Sequence, residues 1–334
     1  MRAAFLTRYD RRGTDLEIRE VPKPAPAADE LLVQVRTAGV NPLDNMIIRG
    51  EVRLIVPYRP PILMGNEFVG MVEAVGHGVE GFQEGDRVYG RMPLHHIGTF
   101  CDYLTIPAAA AAEVPDYLSD EQAACVPLTA LTAQQAYNLM NTRPGGSLYI
   151  SGGTGSVGAM AIPIAVARGL EVATSGGASS RERVVALGVK TFVDYKTQHV
   201  QDVLSDMDYV LDTLGDKGLP VEFAILRDGG SLATLRGTPN GAFAKRMGLP
   251  WYKQILFDLA SSKWARMARR KHQTYNFIFV HADGQGLAEI SCIFEERREE
   301  PSVDGVYPLS DVNAALEKVY RGGSRGKTVL RISD

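Results

Sequence analysis

Cysteine is scarce in this chain: three among 334 residues, Cys101, Cys125 and Cys292, far apart and with no Cys-x-x-Cys pair. They can build neither a disulfide framework nor a cysteine-held structural zinc cluster, and a reducing cytosol is the compartment expected from them. Charge of one sign is missing too. The 36 Lys and Arg and 39 Asp and Glu leave a formal net charge of -3, a field too weak to imply nucleic acid or a membrane surface as partner. Small molecules are the expected partners. No apolar run approaches the roughly 18 residues of a membrane span. The opening MRAAFLTRYD has neither a long apolar core nor a small-residue cleavage site, so a soluble protein without cleaved targeting is expected.

What is present is the composition of a globular enzyme, 45% hydrophobic and 22% charged, in a chain long enough for two domains. Residues 1 to about 120 read as β-rich: LLVQVRTAGV, FVGMVEAVG and DRVYG are short runs of branched residues broken by Gly, Pro and Asp turns. After Ser119, with Gln122 at capping-box spacing, strand-like and helix-like segments alternate, which is the pattern of a parallel sheet wrapped by helices. The stretch from Thr238 to Gln273 is basic and reads as a helical insertion whose charges cover a solvated face.

The sequence SLYISGGTGSVGAMAIPIAVARG sets Gly153-x-Gly155-x-x-Gly158 between a strand and a helix, the context a dinucleotide fingerprint requires. Gly153 is expected to permit the tight turn, Gly155 the approach of a pyrophosphate, and Gly158 the close seating of the helix on the sheet. Thr154, Ser156 and Val157 complete the turn, whose amides would meet phosphate with the positive end of the helix dipole. Pro163 falls inside that helix and predicts a local bend. The second strand, EVATS, runs into GGASSRER with no carboxylate at its end to hold ribose hydroxyls. Ser175, Ser179 and Ser180 can donate hydrogen bonds, and Arg181 or Arg183 can offset a 2′-phosphate, so NADPH is favoured over NADH. A polar loop without a ligand is the competing reading for the serines.

Several landmarks in order carry a family resemblance: AGVNPLD (38–44), GNEFVGMVEAVGHGVEGFQEGDRVYG (65–90), GTFCDYL (98–104), PLTALTAQQAY (127–137), GGTGSVG (152–158), DYVLDTLG (208–215) and RGKTVLRI (325–332). Over essentially its whole length the chain resembles the medium-chain dehydrogenase/reductase superfamily, in particular its zinc-free quinone oxidoreductase-like branch. The resemblance implies an α/β protein with a GroES-like β-barrel catalytic domain (1–121 and 281–334) and a Rossmann doubly wound parallel-sheet domain (122–280) binding NADP(H). It implies a homodimer through the Rossmann sheet edge, with YNFIFV as the candidate edge strand. Where zinc-dependent relatives have Cys, His and Cys, this chain has Asn41, Asn66 and Thr129, a poor donor set for zinc. No metal is expected there. At His95 and His96, neighbours that would point to opposite faces of an extended segment, none is expected either.

The implied activity is zinc-independent hydride transfer from NADPH to quinones or α,β-unsaturated carbonyls, with Asn41 and Asp44 as catalytic candidates. Asn41 would hydrogen-bond the acceptor oxygen or orient the nicotinamide ribose, while Asp44 lines the same cleft or instead bonds the backbone amides of its own turn. By resemblance Thr132 would contact the nicotinamide end, and Tyr195 would lie near the 2′-phosphate or serve packing. Two alternatives stay open: a catalytically silent NADPH-binding protein of structural or regulatory role, and an enoyl thioester reductase. The second lacks its tyrosine, since Val52 stands near the corresponding place and Tyr58 is displaced.

Overall fold

The computed structural model describes residues 1–11, 15–323 and 326–333. The chain forms two compact units, Met1–Leu131 with His281–Asp334, and Thr132–Val280. Residues 122–131, expected in the nucleotide-binding domain, fall in the first unit. Arg87 is salt-bridged to Asp120 at 2.6 Å, and the Leu128 amide donates to Glu67 at 2.7 Å. The second bond ties the segment itself, and the first the helix start just before it, to the strands of the first unit.

The first unit is built on strand Glu30–Val40, whose branched residues alternate well enough to bury most of both faces. It pairs antiparallel with Glu67–Val75, with Tyr103–Pro107 and with Lys327–Arg331. Register shifts between Leu32 and Val33 and between Val35 and Thr37 let one strand serve these neighbours. Seven strands form this sheet, in the order Val303–Pro308, Lys327–Arg331, Glu30–Val40, Glu67–Val75, Arg87–Arg91, Ala111–Glu113, with Tyr103–Pro107 off the path. Thr328 lies opposite Val40 in the ladder, so the C-terminal strand delivers Lys327 beside Asn41. Ser119 caps helix Asp120–Ala123 in the expected capping box with Gln122.

The second unit is a six-stranded sheet in the order Thr191–Asp194, Glu171–Gly176, Ser147–Ile150, Met207–Asp212, Leu226–Thr234, Thr274–Phe277, with every pair parallel. Numbered along the chain this is 3-2-1-4-5-6, the doubly wound dinucleotide-binding order. Its switch point lies between Ser147–Ile150 and Met207–Asp212, beside the glycine turn. Phe223 anchors one face of the unit's core, stacked on Trp264 at 6.5 Å and tilted against Tyr275 at 6.1 Å. The strand Thr274–Phe277, which overlaps the first half of YNFIFV, occupies a sheet edge. Helix Ser156–Ala167 runs unbroken through Pro163. The basic insertion folds as three helices, Gly241–Arg246, Trp251–Ala260 and Ser262–Arg269.

Candidate functional site

The glycine turn follows strand Ser147–Ile150 directly. Its left-handed residue is Gly152, at φ 66°, and not Gly153 as the fingerprint spacing implied. Gly153 is required for another reason: a Cβ there would stand 2.2 Å from Thr174 Oγ1 of the neighbouring strand. Gly158 packs on the turn itself, since its Cβ would lie 2.2 Å from the Gly153 carbonyl oxygen. Gly155 is the helix N-cap and provides no side chain to cap the first turn. The first-turn amides of Ser156, Val157 and Gly158 precede any intrahelical acceptor, so they face outward as a cradle for an anion.

Thr154 lies over the end of the second strand, with its methyl 2.4 Å from where a Gly176 Cβ would sit. Its carbonyl accepts from Arg183 Nη2 at 2.6 Å. That bond commits Arg183 to the turn. Arg181 is exposed, with its guanidinium carbon 6.0 Å from the Phe192 ring centroid. Ser179 is exposed on the short 3-10 turn Ala178–Ser180. Tyr195, 61% exposed, brings its hydroxyl to 3.8 Å from where a Gly177 Cβ would sit. Ser175 is withdrawn from this group. It is buried, and its hydroxyl pairs with that of Tyr149 at 2.8 Å, because strand alternation turns it into the sheet. Thr132 is buried on helix Pro127–Leu139.

Asp212 was not singled out from the sequence, although it lies in the DYVLDTLG landmark. It ends strand Met207–Asp212 and accepts the amides of Leu214 at 2.7 Å and Gly215 at 2.9 Å. Near it Glu222 is buried, and burial, then the charge of Asp212, pushes its pKa up to about 9.

The first unit contains a separate buried polar cluster. Asn41 Nδ2 donates to Glu67 Oε1 at 2.7 Å, and Asn41 Oδ1 accepts from Lys327 Nζ at 2.7 Å. Lys327 also bridges Glu67 at 2.6 Å, and both side chains are almost wholly buried. Both polar atoms of Asn41 are thus engaged by the chain, because the Glu67 and Lys327 charges flank it. The second N–H of Asn41 Nδ2 faces the Gly39 carbonyl at 3.4 Å, so the expected donation to an acceptor oxygen would have to displace one of these bonds. Asp44 accepts from the Asn41 amide at 2.7 Å and from Asn66 Nδ2 at 2.7 Å. The geometry favours its turn-bonding role. Burial, opposed by those two bonds, raises Asp44 to about 7.

Thr129 donates to the Cys125 carbonyl at 2.7 Å, an ordinary helix back-bond. Two carboxamides and a hydroxyl, with no thiolate, imidazole or carboxylate among them, do not fit zinc. Among the described residues no group of three or more His, Cys, Asp or Glu could hold a metal. His95 and His96 are exposed on a turn, not on the extended segment expected. Cys125 is buried, with its thiol donating to the Glu121 carbonyl at 3.2 Å. Tyr58 donates to the Leu94 carbonyl at 2.7 Å, and burial raises it to about 12, so its hydroxyl is a weak proton donor. Arg91, fully buried and with no warning in the sequence, leaves Nε and Nη2 without partners.

Two family models match the chain: the alcohol dehydrogenase GroES-like domain over residues 27–116 and zinc-binding dehydrogenase over residues 187–330. The chain belongs to the medium-chain dehydrogenase/reductase superfamily. It is similar to the NAD(P)H oxidoreductase RTN4IP1, mitochondrial, of Dictyostelium discoideum, at 25% identity over 352 residues and 99% of each chain. Among solved structures it is similar to the quinone oxidoreductase of Coxiella burnetii (TM-score 0.83, 22% identity, 100% of this chain and 99% of that one). It is also similar to the quinone oxidoreductase of Thermus thermophilus, solved alone and with NADPH (TM-score 0.77, 24% identity, 99% and 100% covered). Within this superfamily the GroES-like domain and the parallel-sheet Rossmann domain are the expected α/β pair. The cytosolic location expected from cysteine usage is overturned, because the curated relatives of this name are called mitochondrial. Three cysteines are too few to discriminate one reducing compartment from another. The zinc named in the second family description has no matching donor set at Asn41, Asn66 and Thr129.

Proposed function

We propose that this chain is an NADPH-dependent, zinc-independent oxidoreductase that delivers hydride to quinones or α,β-unsaturated carbonyls. One observation carries the cofactor reading: the uncapped first turn of helix Ser156–Ala167 opens at the sheet's switch point, beside the end of strand Glu171–Gly176, where the following turn offers Ser179 and Arg181 with Tyr195 alongside, while the carboxylate opposite Gly176, Asp194, accepts the Lys196 amide of its own turn. The name of the Dictyostelium relative, an NAD(P)H oxidoreductase, supports the same electron source.

The bound nucleotide supplies the hydride. The amides of Ser156, Val157 and Gly158 hold its pyrophosphate, and Arg181 holds the 2′-phosphate with Ser179. Without a Lewis acid, hydride goes best to acceptors that delocalise charge themselves, which points to quinones and enones rather than simple ketones. Solvent can protonate the reduced product, so the engaged hydroxyl of Tyr58 is not needed. That engagement also argues against an enoyl thioester reductase dependent on a tyrosine.

A silent NADPH-binding protein is the second reading, favoured by the commitment of both Asn41 polar atoms to Glu67 and Lys327. Loss of NADPH absorbance with a panel of quinones and enones decides between them. Turnover supports the enzyme, whereas tight NADPH binding with no turnover across the panel defeats it. Elemental analysis tests the metal: stoichiometric zinc, with activity lost on chelation, overturns that part. A homodimer through the open edge of Thr274–Phe277 is part of the same reading, and analytical ultracentrifugation of an Asn276→Pro variant checks it.

A further inference from the structure

Between Gly241 and Gln273 there are eight Lys and Arg against a single Asp, in a chain whose net charge is -3. The basic charge is therefore concentrated on the helical insertion and offset elsewhere. Helix Trp251–Ala260 carries a second irregularity. Its inward residue, Phe257, is buried against Phe243, ring centroids 6.4 Å apart. Yet its outer face is apolar as well: Trp251 is 71% exposed, Ile255 52% and Leu259 69%, spaced one helical turn apart, with Tyr252 and Leu256 alongside. A helix that merely covers a core turns polar residues to water. This one turns a continuous ridge of large apolar side chains outward, and such patches mark interaction surfaces.

The next helix, Ser262–Arg269, follows without a loop, since Ser261 ends one helix and begins the other. It buries Trp264 in the sheet core and exposes Lys263, Arg266 and Arg269, with Arg270 exposed just beyond. The charged-face expectation holds for this helix and fails for its neighbour. An aromatic and aliphatic ridge beside a basic helix matches an interfacial membrane anchor: Trp and Tyr suit the headgroup boundary, aliphatics enter the acyl region, and Lys and Arg meet anionic headgroups. A second copy would bring like charges together on this surface. Nucleic acid would use the basic residues but has no use for Ile255, Leu256 and Leu259. No helix among the described residues is long and apolar enough to cross a membrane, so the contact is peripheral.

We infer that the helices Trp251–Ala260 and Ser262–Arg269 form a docking surface for a phospholipid bilayer rich in anionic headgroups. This goes beyond the redox reading and stands or falls without it. The test is flotation of the full-length protein with vesicles of phosphatidylcholine alone and of phosphatidylcholine with phosphatidylglycerol, at low and high salt. Binding is expected to the anionic vesicles, to fall with salt, and to weaken at least about tenfold in Arg266→Glu/Arg270→Glu and separately in Ile255→Ser/Leu259→Ser. The chain has two tryptophans, and Trp264 is already buried. A blue shift of emission on vesicle addition, abolished in Trp251→Phe, therefore reports insertion of the ridge. All the substituted side chains are exposed, and an unchanged melting temperature confirms that the variants fold. The inference is overturned by no flotation with anionic vesicles, or by flotation indifferent to Ile255→Ser/Leu259→Ser. It is equally overturned by a dimer that those substitutions dissociate, or by RNA binding that they leave intact.

Discussion

Lys327 holds its ammonium 2.6 Å from the Glu67 carboxylate, with 4% and 0% of the two side chains exposed. Asn41 bonds both partners, so the three form one closed buried network. Removing one charge from such a pair leaves the other buried and unpaired, which costs about 3 to 5 kcal/mol. Lys327→Met is expected to lose that much stability in urea titration, and Glu67→Gln/Lys327→Met much less than the sum of its single variants. A loss below about 1 kcal/mol for Lys327→Met would mean that Glu67 is not held as a buried anion.

Two glycines of one fingerprint are expected to fail differently. At Gly158 a methyl group would strike the Gly153 carbonyl oxygen at 2.2 Å, backbone that cannot swing aside. At Gly155 the nearest atom would be 3.4 Å away, an ordinary contact. Gly158→Ala should therefore lower stability by about 1 to 3 kcal/mol and disturb the turn. Gly155→Ala should leave the melting temperature near wild type while weakening nucleotide binding, because its methyl group meets the phosphate and not the protein. Calorimetric titration and thermal melts of the pair check this. Equal losses of stability would remove the distinction.

How much of this was legible follows from the range over which each feature is decided. Strand and helix alternation after Ser119 is local, and it gave the parallel sheet and the anion-binding helix terminus. The turn's left-handed residue was misplaced by one because Gly152 and Gly153 are adjacent and either could adopt it. Ser175 looked available because its residue type was read without its strand parity, which turns it onto Tyr149. The Asn41, Glu67 and Lys327 network was invisible for another reason. Glu67 and Lys327 come from two strands, and Asn41 from the turn just after Glu30–Val40, brought together only by the pairing of Lys327–Arg331 and Glu67–Val75 with Glu30–Val40. Exposure is equally illegible: Trp251 and Trp264 sit on consecutive helices, and only the structure separates the outward ring from the buried one.

Arg181 and Arg183 are two residues apart and are expected to do unlike work. Arg181 is exposed and lies over Phe192, which leaves its guanidinium fork for a 2′-phosphate. Arg183 is bonded to the Thr154 carbonyl at 2.6 Å and so shapes the turn. Arg181→Ala should weaken NADPH at least about tenfold, roughly 1.4 kcal/mol, and leave NADH nearly unchanged. Arg183→Ala should weaken both nucleotides alike. Dissociation constants for the two nucleotides with each variant decide the matter, and equal effects of Arg181→Ala on NADPH and NADH would assign the phosphate to another group.

Glu222 makes stability depend on pH with a definite sign. Burial and the Asp212 charge raise it from 4.5 to about 9, so the folded state favours the neutral acid. The unfolded chain releases its proton near the ordinary value. Stability from this group is accordingly complete below about pH 4.5 and drains away as pH rises toward 9, at no more than about 1.4 kcal/mol per pH unit. Glu222→Gln places a permanently neutral side chain of the same size in that position. Its melting temperature should exceed that of wild type at pH 8 and approach it at pH 5, with nucleotide binding retained. Parallel melting curves for the two proteins from pH 5 to 9 would show that Glu222 is already ionised in the folded state, and that its burial is relieved by a partner the carboxyl oxygens find in solution.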